Sequence, residues 1–179
     1  MLAQRKDGGS LGEKGSSKEF YQSYNNGHII YGCCKELMRV IGSVARVLEF
    51  GCGTGKNLNI VVADYRCGVD ISAVALEDGR RYYEGIHYVL GSEEYLGMLA
   101  DSDFDVSFTL SVLNHIEVVG GIVEQLKRVS GRVYLMESQD KWHEFCWVHD
   151  YIGMGFVETG YEWRSPMSGA LYKLYSWGE

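Results

Sequence analysis

The chain has 179 residues and a formal net charge of −7, which limits the classes of protein it can belong to. A chain of this length forms one domain with a sizeable core. Nucleic-acid-binding proteins usually carry a basic surface, because neutralising phosphates supplies much of their affinity, so this charge disfavours a nucleic-acid partner. With no long apolar run and no basic-then-apolar leader, neither a membrane span nor a secretory signal is expected, and a cytoplasmic location is favoured.

The five cysteines predict reduced, mostly buried thiols. Their number is odd and none forms a C-x-x-C pair, so neither a disulfide framework nor a zinc site is indicated. His143 and His149 stand six positions apart, which does not match a usual pair of metal ligands. We therefore expect no metal.

The first part of the chain divides into a tail and an aromatic segment. Residues 1–17 are rich in Gly, Ser and Lys, so a disordered tail is expected there and a single domain over 18–179. Tyr21 and Tyr24 precede a turn signal, Asn-Asn-Gly, and a helix is predicted from about Ile29 to Ile41.

The stretch Arg46–Lys56, R-V-L-E-F-G-C-G-T-G-K, is the most informative part of the sequence. Its apolar residues predict a buried parallel strand that ends at Gly51, followed by a turn in which three glycines let a ligand approach the backbone. A helix is predicted to begin near Lys56 and to direct its free N–H groups at that ligand. Asp70, nineteen residues after Gly51, ends the second predicted strand, where a carboxylate can accept hydrogen bonds from a ribose diol.

The glycine spacing distinguishes between two nucleotide ligands. The dinucleotide fingerprint G-x-G-x-x-G would require glycine at position 56, which is Lys56, and a nicotinamide-dependent oxidoreductase is therefore disfavoured. The pattern present, E-x-G-x-G-x-G from Glu49 to Gly55, resembles the first motif of class I S-adenosylmethionine-dependent methyltransferases. That resemblance implies S-adenosyl-L-methionine as the cofactor and S-adenosyl-L-homocysteine as the product.

The alternation of strands and helices predicts an α/β fold, a three-layer sandwich with a seven-stranded, mostly parallel sheet and an antiparallel last strand. A terminal hairpin is expected to close the sheet. The remaining predicted helices cover 57–63, 72–83 and 117–129, and the strands after the first cover 66–70, 86–90, 104–110, 133–136, 156–163 and 170–177.

The resemblance also implies where the cofactor binds. Family members often carry an acid after the third strand that contacts the adenine, and here Ser92 stands in that place with Glu93 next to it. The match F-D-x-V-x-x-x-x-V-L-x-H-I places Leu110 and Ser111 beside the methionine part of the cofactor. The full set of expected cofactor contacts is Glu49, Gly51, Cys52, Gly53, Gly55, Asp70, Ile71, Ser92, Glu93, Leu110 and Ser111.

Candidate catalytic and acceptor-binding residues come from two further segments. His115 follows the fourth strand, where a structural imidazole is the favoured interpretation and a proton acceptor the alternative. His143, His149 and Asp150 lie in the polar and aromatic segment after the fifth strand and are candidates for substrate contact or for a base. Tyr21, Tyr24 and His28 match the family's segment that folds over cofactor and substrate, or else they pack the first helix onto the sheet.

The predicted activity is transfer of a methyl group to a nitrogen or oxygen of a small-molecule acceptor. No Pro-Pro-aromatic motif follows the fourth strand and no Pro-Cys motif occurs, so nucleobase acceptors are disfavoured. The link after the fifth strand is short, and a homodimer or a partner chain could complete the pocket. The alternative is therefore a non-catalytic or partner-dependent cofactor-binding subunit.

Overall fold

The computed structural model describes residues 17–25, 27–142 and 144–178. The tail predicted for residues 1–17 lies outside this part, apart from Ser17, which begins the first helix. The helices are α1 (Ser17–Gln22), α2 (Gly32–Ile41), α3 (Ala73–Tyr82), α4 (Glu93–Leu96) and α5 (Gly120–Val129). The strands are β1 (Ser43–Phe50), β2 (Val62–Asp70), β3 (Ile86–Leu90), β4 (Phe104–Leu110), β5 (Ser130–Ser138), β6 (Val157–Arg164) and β7 (Leu171–Trp177).

The strands form one seven-stranded sheet in the order β3-β2-β1-β4-β5-β7-β6. The first five strands of this order run parallel, whereas β7 is antiparallel to both β5 and β6. The predicted fold class is therefore confirmed, including the hairpin at the end of the chain. Since β1 lies between β2 and β4, its carboxyl end is at the centre of the edge where the strands β1 to β4 stop, the usual ligand-binding edge of such sheets.

Helices cover both faces of the sheet. Leu37 of α2 and Leu76 of α3 pack with Val47 in one core cluster, and Leu126 of α5 packs with Leu48 in the other. Adjacent residues of β1 thus enter opposite cores, because successive side chains of a strand point to opposite faces. The result is the predicted three-layer sandwich.

The helix predicted after the glycine turn is wrong. The chain makes only a short 3₁₀ turn at Leu58–Ile60, and β2 already begins at Val62, four residues earlier than predicted. Val62 and Ala63 pair with Ser43 and Val44, so the β-branched stretch extends the sheet instead of forming a helix. Lys56 therefore enters a tight connection between two strands.

Candidate cofactor and acceptor site

A cavity of about 760 Å³ opens at the carboxyl edge of the parallel strands. Its volume lies within the range usual for small-molecule sites, about 300–1,000 Å³. One part is lined by Gly51, Gly53 and Asp70, and another by aromatic side chains that include Tyr21 and Trp163. The cavity is therefore bounded by backbone and carboxylate on one side and by aromatic rings on the other.

The glycine turn after β1 has a conformation that needs glycine. Gly51, Gly53 and Gly55 have φ angles of 74°, 55° and 77°, in the left-handed region. A β-carbon on Gly51 would collide with the side chain of Val112, which also lines the cavity. The amides of Gly51 and Cys52 both donate to the carbonyl oxygen of Val69, at 2.8 and 3.1 Å, so the turn is fixed to the end of β2.

Asp70 lies at the junction of this turn with β2. Its Oδ2 accepts a hydrogen bond from the Gly53 amide at 2.7 Å, and Oδ1 accepts one from the Ser72 amide at 2.8 Å. Burial raises the pKa of the Asp70 carboxyl, while these backbone hydrogen bonds act in the opposite direction. Each oxygen keeps acceptor capacity beyond its amide, so the carboxylate can order the turn and still accept from a sugar hydroxyl.

Three predicted cofactor residues lie behind the cavity wall. Gly55 and the buried Cys52 are absent from the lining, and so is Glu49, whose Oε1 accepts a hydrogen bond from Asn57 Nδ2 at 2.8 Å. The second carboxyl oxygen of Glu49, Oε2, has no hydrogen-bond donor in the part of the chain that is described, and burial raises the pKa of this carboxyl well above its usual value. The Oε2 atom of Glu49 is thus a buried hydrogen-bond acceptor at the base of the glycine turn.

The other predicted cofactor residues line the cavity. Ile71 follows Asp70 at the end of β2, Ser92 and Glu93 follow β3, and Leu110 and Ser111 end β4. Ser111 has a φ of 56°, and its hydroxyl lies 3.0 Å from the hydroxyl of Tyr172 on β7. The lining therefore extends across the edge from β3 to β7.

His115 lies on the wall of the cavity beside Tyr21. Its Nδ1 is 2.8 Å from the Tyr21 hydroxyl and 3.2 Å from the carbonyl oxygen of Phe145. Nδ1 either accepts a hydrogen bond from the Tyr21 hydroxyl or, when protonated, donates one to the Phe145 carbonyl oxygen, so Nδ1 has a partner in both tautomers. The ring also contacts the rings of Tyr21 and Trp142.

Glu137, which the sequence analysis did not single out, fixes the turn that carries His115. The carboxyl is fully buried at the end of β5 and accepts hydrogen bonds from Thr109 Oγ1 at 2.7 Å and from the amides of Val112 and Asn114 at 3.1–3.2 Å. Burial raises the pKa of Glu137 to about 7, against the effect of these hydrogen bonds. In the sequence, only the position of Glu137, followed by Ser138 at the end of a predicted strand, could have indicated a role for this residue.

The segment before α2 that contains Tyr21, Tyr24, Gly27 and His28, here called the strap, is attached to the glycine turn and to the start of α3. Ser72 Oγ donates to the Tyr24 carbonyl at 2.7 Å, and Thr54 Oγ1 donates to the Gly27 carbonyl at 2.9 Å. His28 does not line the cavity; its ring nitrogens contact the Tyr83 hydroxyl and Asp78 Oδ2, at 2.8 and 3.1 Å. His28 therefore ties the strap to α3.

The candidates after β5 lie apart from the cavity lining. His149 Nε2 donates to the carbonyl oxygen of Leu113 at 3.0 Å, and Asp150 Oδ1 accepts from the Gly153 amide at 2.8 Å in a turn. His143 lies outside the described residues. No three His, Cys, Asp or Glu side chains within the described ranges are arranged to hold a metal ion, and no helix there is long and apolar enough to cross a membrane.

Several lining residues were not predicted, among them Lys56, Tyr31, Trp163 and Tyr172. Lys56 is next to the motif and could have been noticed, but the predicted helix would have placed it differently. Tyr31 immediately precedes α2, whereas Trp163 lies on β6 and Tyr172 on β7, and only the order of strands brings them to the same wall. Tyr31 contacts the ring of Trp163, which contacts that of Tyr172.

The sequence matches one family model over part of its length. Residues 48–133 match the family model described as a methyltransferase domain. No curated protein sequence matches the chain significantly. These residues include the last three residues of β1, the glycine turn, Asp70 and β4, all of which contribute to the lining of the cavity.

Solved structures resemble the chain in fold at low sequence identity. Magnesium protoporphyrin IX methyltransferase from Synechocystis, solved with bound S-adenosylmethionine, has a TM-score of 0.65 and 14% identity, covering 93% of this chain and 98% of that one. A putative methyltransferase in complex with the Trm112 methyltransferase activator of Haloferax volcanii has a TM-score of 0.61 and 13% identity, covering 82% and 89%. The YcgJ protein from Bacillus subtilis has a TM-score of 0.53 and 22% identity; the match covers 59% of this chain and only 50% of that one.

The family model and the fold agree with the motif, the position of Asp70 and the sheet order. Residues 48–133 thus match a methyltransferase domain, and the chain has the fold of, and is similar to, S-adenosylmethionine-dependent methyltransferases.

Proposed function

We propose that this enzyme methylates a nitrogen or oxygen of a small molecule. One observation carries the proposal: a single cavity is lined by the glycine turn and Asp70 on one side and by His115 and aromatic rings on the other. Such an arrangement suits a nucleoside cofactor beside a compact acceptor. We assign Ile71, Ser92, Glu93, Leu110 and Ser111 to the cofactor side as well.

The charge and chemistry of the lining favour an uncharged or cationic acceptor. Asp70, Glu93, Glu117 and Glu144 are acidic, whereas Lys56 is the one lysine or arginine among the lining residues of the described chain. Anionic acceptors such as nucleic acids would meet repulsion there. The aromatic wall offers faces that attract both apolar rings and ammonium groups.

In this proposal the protein acts mainly by alignment. S-adenosylmethionine supplies an activated methyl group on its sulfonium. Positioning the acceptor and excluding water can lower a barrier by about 7–11 kcal/mol. Where the acceptor carries a proton that must leave, His115 is our candidate base, with Tyr21 and Glu137 as positioning residues. We assign Tyr24 to the acceptor side. We assign His28, His149 and Asp150 a structural role, because their hydrogen bonds hold the segments around the cavity.

The test measures binding first and transfer second. Calorimetric titration should show binding of S-adenosylhomocysteine, and radiolabelled methyl transfer should be assayed with tyramine, 4-hydroxyphenylacetate and a short single-stranded RNA. We expect transfer to tyramine in preference to the anionic ring of matched size, and none to RNA. Methylation of the RNA would contradict the proposed acceptor class. The same would follow if neither small molecule were methylated and a protein substrate were methylated instead.

Partner dependence is the second candidate, favoured by exposed apolar side chains on the lining. Met167 is 77% exposed, and Phe20, Tyr24 and Trp142 are more than two-fifths exposed. One structural neighbour is described as a complex with a methyltransferase activator. A purified chain that binds S-adenosylhomocysteine with no turnover, and that light scattering shows to be monomeric, would favour a partner chain; a dimer with turnover would favour self-association.

We also propose a cytoplasmic location. All five cysteines are buried and none forms a disulfide bond within the described part of the chain, which suits a reducing compartment. Thiol titration of the denatured protein from cell extracts, blocked before lysis, should recover five free thiols.

A further inference from the structure

Two adjacent cysteines, Cys33 and Cys34, lie in the first turn of α2 at the wall of the cavity. Cys33 lines the cavity although only 1% of the residue is exposed, and Cys34 is fully buried. Both follow Gly32, the first residue of α2, where the helix N-terminus favours negative charge. A reagent can therefore reach the pair only from the cavity.

The two thiols interact with each other. Hydrogen bonding from the Cys33 thiol lowers the pKa of Cys34, and the same contact raises the pKa of Cys33. The backbone at Tyr31 and the Lys56 ammonium also lower the pKa of Cys34, whereas burial raises it. The thiolate is the form that binds soft ligands, so Cys34 is activated and has a second thiol within hydrogen-bonding reach.

Buried hydrogen bonds connect Cys34 to the glycine turn. Its thiol donates to Asn57 Oδ1 at 3.3 Å, and Asn57 Nδ2 donates to Glu49 Oε1 at 2.8 Å. Glu49 is the last residue but one of β1, directly before the turn. A ligand bound to the Cys34 sulfur therefore removes a hydrogen bond that supports the turn from below.

The geometry of the pair favours a bridging atom over a direct disulfide. Adjacent residues have Cα atoms about 3.8 Å apart, whereas the Cα atoms of disulfide-bonded cysteines are usually about 4.4–6.8 Å apart. Both cysteines are reduced in the structure. Among the described residues no three His, Cys, Asp or Glu side chains form a metal site, so the ligand must be one that needs only two protein sulfurs.

We propose that Cys33 and Cys34 form a dithiol site for trivalent arsenic, which binds from the cavity and weakens the binding of the cofactor. An arsenoxide, R–As=O, forms one As–S bond with each thiol. Both thiol protons leave with the arsenoxide oxygen as one water molecule, and no atom is oxidised or reduced. Because Cys33 lines the cavity, the organic group R stays inside it.

The test uses phenylarsine oxide as the probe. Mass spectrometry of the purified protein should show one phenylarsine group per chain, on the peptide that contains Cys33 and Cys34. The dithiol 2,3-dimercaptopropanol should remove this group, whereas an excess of the monothiol 2-mercaptoethanol should not. Cys33→Ser and Cys34→Ser should each bind the probe about 100-fold or more weakly, because the second sulfur otherwise binds at a high effective concentration.

The matched control is Cys67→Ser, which removes a buried thiol that is absent from the cavity lining and should leave probe binding unchanged. Calorimetric titration should show that S-adenosylhomocysteine binds the phenylarsine adduct about tenfold or more weakly than it binds the untreated protein. The same treatment should not change its affinity for Cys33→Ser.

Two results would overturn the proposal. One is labelling of other cysteines while Cys33 and Cys34 stay free. The other is equal probe affinity of the unaltered protein and of both serine variants, with circular dichroism showing that the variants are folded. An adduct on the pair that leaves the affinity for S-adenosylhomocysteine unchanged would disprove the effect on the cofactor.

Discussion

At the scale of single residues, Asp70 joins two tasks. It holds the glycine turn through the Gly53 and Ser72 amides, and it presents a carboxylate to the cavity. The sequence predicted the second task from spacing alone. The first is visible only in the structure, because the partners are backbone amides whose direction depends on the turn.

Replacement of Asp70 by Asn tests this residue. The amide oxygen of Asp70→Asn retains one acceptor but removes the charge, so we expect S-adenosylhomocysteine to bind about 10–100-fold more weakly. Asp64→Asn, an exposed carboxylate on the same strand β2, is the matched control and should bind as the unaltered protein does. Equal affinities of all three proteins in calorimetry would show that Asp70 does not contact the ligand.

At the scale of elements, α3 supports the glycine turn through Gly79. A β-carbon there would collide with the Thr54 carbonyl oxygen and lie 2.8 Å from the Tyr88 hydroxyl, which itself donates to that carbonyl at 2.9 Å. We expect Gly79→Ala to lower the free energy of unfolding by about 1–3 kcal/mol, because overpacking outweighs the gain in helix propensity. Urea denaturation measures the change.

The matched control is Gly121→Ala in α5, where a β-carbon meets nothing within 4 Å. This substitution should raise the free energy of unfolding by about 0.5–1 kcal/mol through helix propensity alone. If Gly79→Ala were as stabilising as Gly121→Ala, the close packing of α3 on the turn would be disproved.

Glu137 makes the turn after β4 sensitive to pH. Its pKa is raised from 4.5 to about 7 in the folded protein, so the folded state holds the proton more tightly than the unfolded state. By linkage, the stability that it contributes is full below about pH 4.5 and is lost as the pH rises to about 7, by up to about 3 kcal/mol. Above that pH the loss is complete.

Glu137→Gln imitates the protonated side chain and removes this dependence. Its amide oxygen at the position of Oε2 can accept from Val112 and Asn114, while its NH₂ group donates to the Thr109 hydroxyl. Urea denaturation at pH 5 and pH 8 should show a larger fall in stability for the unaltered protein than for Glu137→Gln. Parallel pH profiles of the two proteins would contradict the assignment.

At the scale of the whole molecule, the ligand should stabilise the fold because its contacts come from segments far apart in sequence. S-adenosylhomocysteine at 100 times its dissociation constant should add about 2.7 kcal/mol to the free energy of unfolding. For a protein of this length that corresponds to a rise of about 5–10 °C in Tm. Differential scanning fluorimetry with NAD⁺ at the same concentration should show no rise, and an equal rise with NAD⁺ would contradict the distinction drawn from Lys56.

Local patterns in the sequence were sufficient for the strands, for most helices and for placing the glycine turn and Asp70 at one edge of the sheet. A buried strand, its glycine turn and the acid nineteen residues later act over a short stretch of chain, so their geometry follows from residue type and spacing. The error at residues 57–63 has a tertiary cause: the stretch is compatible with a helix by local propensity, but Val62 and Ala63 pair with β1 and begin a strand.

Only the tertiary structure decided how the aromatic wall of the cavity is formed. The wall contains Tyr31 together with Trp163 and Tyr172, which are more than a hundred residues later in the chain, and their meeting depends on β7 inserting between β5 and β6. The same is true of the histidines: His115 reaches the cavity because Glu137 holds its turn, whereas His28 and His149 are held elsewhere by Asp78 and by the Leu113 carbonyl. A motif determines the backbone conformation of its own residues. Which side chains from distant parts of the chain line the same cavity depends instead on long-range packing.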